Sequence, residues 1–255
     1  MTSAARVGAN LSTLANALLG VGAILYTLAG NKLWALLLIG CAVGFDGLDG
    51  LLARRAGGPP SVMGRVLDSV ADAITFGVAP GVLIAVHTEH ASLWAAWSTY
   101  AILVGVMVSA LALARLVYFT VRAWQRPNFV GASTPQNALA IVLLILFFDQ
   151  PAFLGTDPLV VLAGAALLAL VMVSPIPYPK LRRGMPLRWG MIGTAAALGV
   201  SLVPLEFRPA VGSLFYLIGE VAAAVAVIGL TTYYLLGPRA ARTANAAADA
   251  GVMHG

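Results

Sequence analysis

Residues 46–72 read DGLDGLLARRAGGPPSVMGRVLDSVAD and hold four of the ten acidic residues of this 255-residue chain. Asp46 and Asp49 fall in the C-terminal half of one apolar stretch, and Asp68 and Asp72 fall at the start of the next. At helical spacing each pair lies on one face of its helix. The short connection between the two stretches predicts an antiparallel helical hairpin in which the two acidic faces meet.

Four converging carboxylates with no cations among them would repel one another, and each costs about 3 kcal/mol at membrane depth. One or two hard divalent cations remove that repulsion, and oxygen ligands favour Mg²⁺, Mn²⁺ or Ca²⁺ over zinc. We therefore predict that Asp46, Asp49, Asp68 and Asp72 bind divalent metal. The alternative is that they are ordinary loop carboxylates at helix ends, in which case their helical spacing is a coincidence.

Small residues share the faces of these aspartates. Gly50, Ala53 and Gly64 leave room either for a ligand or for close helix packing, and spacing alone does not separate the two for the glycines. Arg54 follows at the mouth of the hairpin, where a guanidinium suits a phosphate or a headgroup. Its alternative role is to anchor the helix end at the membrane surface.

The composition of the chain is that of a membrane protein. Hydrophobic residues make up 60% of it, charged residues only 10%, and the mean hydropathy is +0.91. A soluble domain carries about a quarter charged residues. The basic residues behind the net charge of +5 stand at the ends of apolar runs, which argues against a nucleic-acid-binding stripe. The single Cys41 rules out an intramolecular disulfide.

Apolar stretches of about 20 residues, long enough to cross a bilayer as helices, recur along the chain. We predict an all-α fold, a polytopic membrane helical bundle of about eight transmembrane helices. Their predicted bounds are Leu11–Ala29, Leu33–Ala53, Val66–His87, Leu93–Phe119, Asn137–Leu154, Leu159–Ile176, Trp189–Leu205 and Val211–Leu236. The Ala-rich tail, residues 239–255, is predicted to be disordered.

Basic residues predict the orientation in the membrane. With eight spans, all of the 15 Lys and Arg residues except Lys32 and Arg208 fall on the side that holds both termini. The positive-inside rule places that side, with the acidic hairpin, in the cytoplasm. We expect an integral, multi-pass protein of a bacterial inner membrane.

The hairpin resembles the signature of the CDP-alcohol phosphotransferases. That signature reads D-x-x-D-G-x-x-A-R, a spacer, then G-x-x-x-D-x-x-x-D, and every fixed residue is present in Asp46–Arg54 and Gly64–Asp72. The spacer is one residue longer than usual, in the Gly-Gly-Pro-Pro turn. The resemblance implies a six-helix domain over residues 1–180, followed by two additional helices over 181–238.

The resemblance also implies a reaction and residue roles. It implies transfer of a phosphatidyl group from CDP-diacylglycerol to a small polar alcohol, among membrane lipids, with release of CMP. Asp46, Asp49 and Asp68 would bind two Mg²⁺ or Mn²⁺ ions, and Asp72, also close to the metals, would be the catalytic base. The residues expected to contact the CDP part are Gly50, Ala53, Arg54 and Gly64. Family members are often dimeric, so a homodimer is compatible with the sequence.

The residues after Asp68 bear on the acceptor alcohol. The run from Asp68 to Pro80 resembles D-S-L-A-D-x-x-x-F-G-x-A-P of the phosphatidylserine synthase branch, as do Leu113-Ala-Arg115 and residues 172–180. We predict L-serine as acceptor, with Arg115 or Arg122 meeting its carboxylate. The chain departs from that branch at Val117, where asparagine is usual, and in residues 129–135, which lack Gly-Leu-Pro.

Other acceptors and one other protein class remain open. Choline carries a quaternary ammonium group that binds to aromatic faces, which Tyr118 and Phe119 could offer. Glycerol 3-phosphate or inositol phosphate are further alternatives. Intramembrane carboxylates also mark ion-coupled transporters, although these usually spread them over two repeats. Here the second half has only Glu220 deep in a predicted span, and no role is predicted for it. His87 and His90 are predicted to be loop residues away from the aspartates.

Overall fold

The structure is a computed structural model that describes residues 3–56, 62–87, 97–123, 128–148, 158–179, 224–225 and 227–243. This part of the chain is mostly helical. Its helices are α1 (Ser3–Leu28), α2 (Lys32–Ala56), α3 (Val62–Asp72), α4 (Ala79–His87), α5 (Ser98–Tyr118), α6 (Thr134–Phe148), α7 (Pro158–Val173) and α8 (residues 227–243).

Two π-helical segments and one small sheet complete the described fold. The first π-helical segment, Ala73–Val78, joins α3 to α4 without a break, and the second, Phe119–Ala123, extends α5. Strands β1 (Asn128–Val130) and β2 (Pro177–Pro179) pair antiparallel, with Phe129 opposite Tyr178.

In the described part of the chain, three helical stretches are long and apolar enough to cross a membrane: Asn10–Leu28, Val62–Val86 and Ser98–Val121. They correspond to the first, third and fourth predicted spans. Shorter apolar helices, Thr134–Leu146 and Pro158–Val173, overlap the fifth and sixth. The seventh predicted span, Trp189–Leu205, lies outside the described residues, so the total of eight stays a prediction.

The faces of α1 are arranged for a lipid surround. Its outward side chains are apolar and more than half exposed: Leu11, Leu14, Leu18 and Leu25. Its inward side chains include three buried polar residues: Ser12, Asn16 and Thr27. In water this arrangement would expose apolar surface and bury polar groups, whereas hydrocarbon favours it. The pattern supports the prediction of a membrane protein.

The turn after α1 brings α2 back beside it. Gly30 has a φ of 75°, its N–H donates to the Thr27 carbonyl at 3.0 Å, and the Asn31 N–H donates to the Tyr26 carbonyl at 2.8 Å. These two bonds form a Schellman motif, which satisfies carbonyls that the helix end leaves open. The antiparallel return lets the Ser12 hydroxyl donate to the Phe45 carbonyl at 3.0 Å, next to Asp46.

The β1–β2 ribbon fixes the start of α6 against the end of α7. Gly131 follows β1 with a φ of 76°, and its N–H donates to the Ile176 carbonyl at 2.8 Å. A Cβ at this position would collide with the Met172 carbonyl oxygen, so both the dihedral angle and the space require glycine. This turn leads directly into Ser133 and Thr134, at the first turn of α6.

The last helix ends later than the sequence predicts. Residues 224–225 and 227–243 are helical, which overlaps the eighth predicted span, Val211–Leu236. The helix continues to residue 243, into the tail 239–255 that is predicted to be disordered. Ala241 is fully buried, so these residues stay helical through packing that composition does not reveal.

Helices α4 and α5 cross at Gly81 and Gly105, and a Cβ on either glycine would collide with the carbonyl oxygen of the other. We predict that Gly81→Ala lowers the Tm of the solubilised protein by several degrees, because overpacking costs about 1–3 kcal/mol. The matched control is Gly44→Ala, since none of the described atoms lies within 4 Å of a Cβ there. Equal Tm values for the two variants would contradict the close crossing.

Candidate active site

Carboxylates from two helices meet at one point. Asp46 of α2 and Asp68 and Asp72 of α3 each place a carboxylate oxygen within 4.8 Å of the others. Asp72 is only 8% exposed, and Asp46 and Asp68 are half-buried. The predicted meeting of the acidic faces is therefore found for three of the four aspartates.

The other predicted residues of the hairpin are described less fully. Asp49, Gly50, Ala53 and Arg54 lie in α2, but their side-chain positions fall outside the described residues. Gly64 is half-buried in the first turns of α3, one helical turn before Asp68.

The donor set of this acidic group fits a hard divalent ion. Opposite ligands of an octahedral Mg²⁺ are about 4.2 Å apart, twice the ligand distance of 2.0–2.1 Å. The three carboxylate oxygens lie within 4.8 Å of one another, which is close to that separation. Carboxylate oxygens without sulfur or imidazole favour Mg²⁺, Mn²⁺ or Ca²⁺. Small side-chain adjustments would therefore suffice to place the three carboxylates around one ion.

Helix α1 holds Asp72 in place, which the sequence does not predict. Asn16 is fully buried, and its Nδ2 donates to Asp72 Oδ1 at 3.1 Å. The Asn16 Oδ1 has no hydrogen-bond partner among the described residues. The sequence indicates only that this face of α1 is polar, since Ser12 and Asn16 stand at i,i+4.

The first π-helical segment packs against α1 next to the acidic group. It begins directly after Asp72, and its buried Thr75 donates to the backbone carbonyl of Asn16 at 2.8 Å. A Cβ on Gly20 of α1 would collide with Thr75, so the two elements are in close contact. Such π-helical turns often occur at functional sites. Here the turn hydrogen-bonds the backbone of α1 to Thr75, three residues after Asp72.

A buried cation lies beside the acidic group. Arg115 of α5 is 8% exposed, and its Nη1 donates to Thr134 Oγ1 at 2.7 Å. It is close enough to Asp72 for the two charges to interact. The side chain of Arg122, the other predicted acceptor residue, lies outside the described residues. Tyr118, which could offer an aromatic face to choline, is 40% exposed.

The first turn of α6 adds buried polar groups next to Arg115. Ser133, Thr134 and Asn137 are all buried. The N–H groups of a first helical turn carry partial positive charge. Arg115 and this turn therefore form a region that favours an anionic group close to Asp72.

A comparison with protein families identifies the class of protein. The family model described as CDP-alcohol phosphatidyltransferase matches residues 6–176, which cover most of α1, all of α2 to α7 and the acidic group. The chain belongs to the CDP-alcohol phosphatidyltransferase family. It is thus a phosphatidyltransferase of phospholipid synthesis, and the transporter alternative is set aside.

Three curated relatives illustrate the similarity. The chain is 30% identical over 174 residues to the CDP-diacylglycerol–serine O-phosphatidyltransferase of Bacillus subtilis, covering 67% of this chain and 89% of that protein. It is 30% identical over 183 residues to the Helicobacter pylori protein of the same name, covering 71% and 74%. It is 31% identical over 180 residues to archaetidylserine synthase of Methanothermobacter thermautotrophicus, covering 67% and 69%.

Replacing Asn16 tests whether its contact orients Asp72 for catalysis. Asn16→Ala removes a hydrogen bond to a charged group, worth about 1.5–3 kcal/mol, so we expect the kcat of CMP release to fall about 10- to 100-fold. The matched control is Thr27→Val, because Thr27 is also buried on α1 but donates only within its own helix, to the Ala23 carbonyl. A similar loss of kcat in both variants would contradict a specific role for Asn16.

Proposed function

We propose that this protein transfers the phosphatidyl group of CDP-diacylglycerol to the hydroxyl of L-serine, forming phosphatidylserine and releasing CMP. The observation that carries the proposal is the meeting of Asp46, Asp68 and Asp72 beside the buried Arg115. The names of the relatives, most of which refer to serine as the acceptor, support the choice of alcohol.

The acidic group would hold the metal. Asp46, Asp68 and Asp72, joined by Asp49 one helical turn along α2, supply only carboxylate oxygens, which suits two ions of Mg²⁺ or Mn²⁺. Bound divalent ions neutralise a pyrophosphate and stabilise the departing oxygen. We assign the contacts with the CDP part to the small and basic residues of the same hairpin, Gly50, Ala53, Arg54 and Gly64.

Asp72 is the proposed base. It takes the proton from the serine hydroxyl as the hydroxyl oxygen attacks the phosphorus that carries the diacylglycerol. The bond from that phosphorus to the CMP oxygen breaks, and CMP leaves with the electron pair. General base catalysis typically contributes a factor of about 10² to 10⁴. Asn16 supports this role because it fixes one oxygen of Asp72.

Arg115 is the proposed partner of the serine carboxylate. It is buried, lies near Asp72 and has the first turn of α6 beside it. A charge-assisted bond to a carboxylate is stronger in such an enclosed place than at a surface. Arg122, four residues beyond Tyr118 along the same segment, remains the second candidate for this contact.

The membrane arrangement is part of the proposal. The six-helix domain over residues 1–180 would carry the reaction, with its acidic group and both termini on the cytoplasmic side of a bacterial inner membrane. The diacyl chains would stay in the bilayer against the exposed apolar faces of the helices. A homodimer is compatible with this arrangement.

The test of the function is an acceptor panel. Purified protein is given CDP-diacylglycerol, Mg²⁺ or Mn²⁺, and one of serine, choline, inositol phosphate or glycerol 3-phosphate, and CMP release is measured. We expect release that depends on serine and disappears with EDTA and in Asp72→Asn. Release with a different alcohol would overturn serine as the acceptor while keeping the family chemistry.

The role of Arg115 gives a separate prediction. Arg115→Ala removes the proposed carboxylate partner, so the KM for serine should rise at least about tenfold while the KM for CDP-diacylglycerol stays within about twofold. The control is Arg239→Ala, since Arg239 is an exposed arginine of α8. An unchanged KM for serine, in Arg115→Ala protein with a wild-type Tm, would refute this role.

A further inference from the structure

Two neighbouring tyrosines stand outside the part of the chain that the family model matches. That match ends at residue 176, whereas Tyr233 and Tyr234 lie on α8. Tyr233 is among the largest fully buried side chains of the described residues, and Tyr234 is packed against the same core. Their hydrogen bonds and ring contacts among the described residues join them to α6, to β2 and to each other, and the reaction as proposed above gives them no role.

Both tyrosines contact the first turn of α6. The Tyr234 hydroxyl donates to Asn137 Oδ1 at 3.2 Å. The Ser133 N–H donates to the Tyr233 hydroxyl at 3.5 Å. At the start of a helix such an N–H has no partner within the helix, and Tyr233 supplies one. Two side chains of α8 thereby hold both ends of the first turn of α6.

Tyr178 of β2 contacts both tyrosines of α8. Its ring stacks on that of Tyr233, with the centroids 5.2 Å apart, and its hydroxyl donates to the Tyr234 carbonyl at 3.5 Å. Burial raises the pKa of the Tyr178 phenol further above neutral pH, so the hydroxyl is protonated and can donate. Because the faces of Tyr178 and Tyr233 are turned to each other, they are not an open cage for a quaternary ammonium group.

The first turn of α6 is also what holds Arg115. Thr134 lies between Ser133 and Asn137 and accepts the hydrogen bond from Arg115 Nη1 at 2.7 Å. Tyr233 and Tyr234 also lie near Arg115. A shift of this turn would therefore move the arginine, while Asp72 is held separately by Asn16 of α1.

We propose that α8 completes the acceptor site of the enzyme: Tyr233 and Tyr234 are positioning residues that clamp the first turn of α6 and so aim Arg115 at the carboxylate of the acceptor alcohol. This inference rests on the proposed function, because it takes Arg115 as the acceptor contact. The last helix thus bears on the choice of acceptor, and the hairpin of α2 and α3 carries the chemistry.

The test compares three hydroxyl deletions in the full chain. Tyr233→Phe and Tyr234→Phe keep the ring packing and remove one hydrogen bond each, and Tyr100→Phe is the control because Tyr100 is 58% exposed. We expect the KM for serine to rise about threefold to tenfold in Tyr234→Phe, and further in the double variant. The kcat, the KM for CDP-diacylglycerol and the Tm should stay close to wild type, as they should in the control.

The outcomes separate this inference from the function on which it rests. An unchanged KM for serine in the double variant would overturn the clamp, as would an equal loss in every parameter with a lowered Tm, which marks a merely structural role. If the wild type uses a different alcohol of the panel, the serine assignment fails, and the clamp is judged by the KM for that alcohol. A rise supports the clamp and no rise overturns it.

A binding measurement makes the test independent of turnover. The serine concentration that gives half of the maximal Tm increase is compared between wild type and the double variant. A higher concentration for the double variant supports the clamp. The same concentration in both proteins overturns it. Where the panel identifies a different alcohol as the acceptor, that alcohol replaces serine in this measurement.

Discussion

Three carboxylates held side by side in an apolar bundle set the main constraint on this structure. Like charges in a poorly solvated place raise the free energy of the fold unless cations or hydrogen bonds compensate them. Asp46, Asp68 and Asp72 meet because α2 and α3 pack as a hairpin, and Asn16 of α1 donates to one of them. The π-helical turn after Asp72 adds a second link to α1, because Thr75 donates to the backbone carbonyl of Asn16.

The sequence predicts the features that depend on local spacing. Aspartates three and four residues apart on apolar stretches predict two acidic helical faces, and these faces do meet in the structure. Arg115, which the sequence offers together with Arg122 as the cation for the acceptor, is buried in the structure, and its acceptor role stays a prediction. The described helices also follow the predicted apolar stretches, since a span of lipid requires a continuous run of apolar residues.

The sequence does not predict the contacts that join distant segments. Asn16 and Asp72 are 56 residues apart, and Tyr234 and Asn137 are 97 residues apart, so no local pattern links either pair. The π-helical turn also has no periodic signal, and its Thr75 donates to the backbone of Asn16, which is 59 residues away in the sequence. The sequence suggests which residues carry the chemistry, whereas the residues that position them depend on tertiary packing.

The most direct test of this account is to locate bound Mn²⁺ in crystals of the full chain by its anomalous scattering. The account predicts density between the carboxylates of Asp46, Asp68 and Asp72, with Asn16 still bonded to Asp72. Density at another place, or none at saturating Mn²⁺ in well-folded protein, would contradict the claim that this acidic group is the metal site of the enzyme.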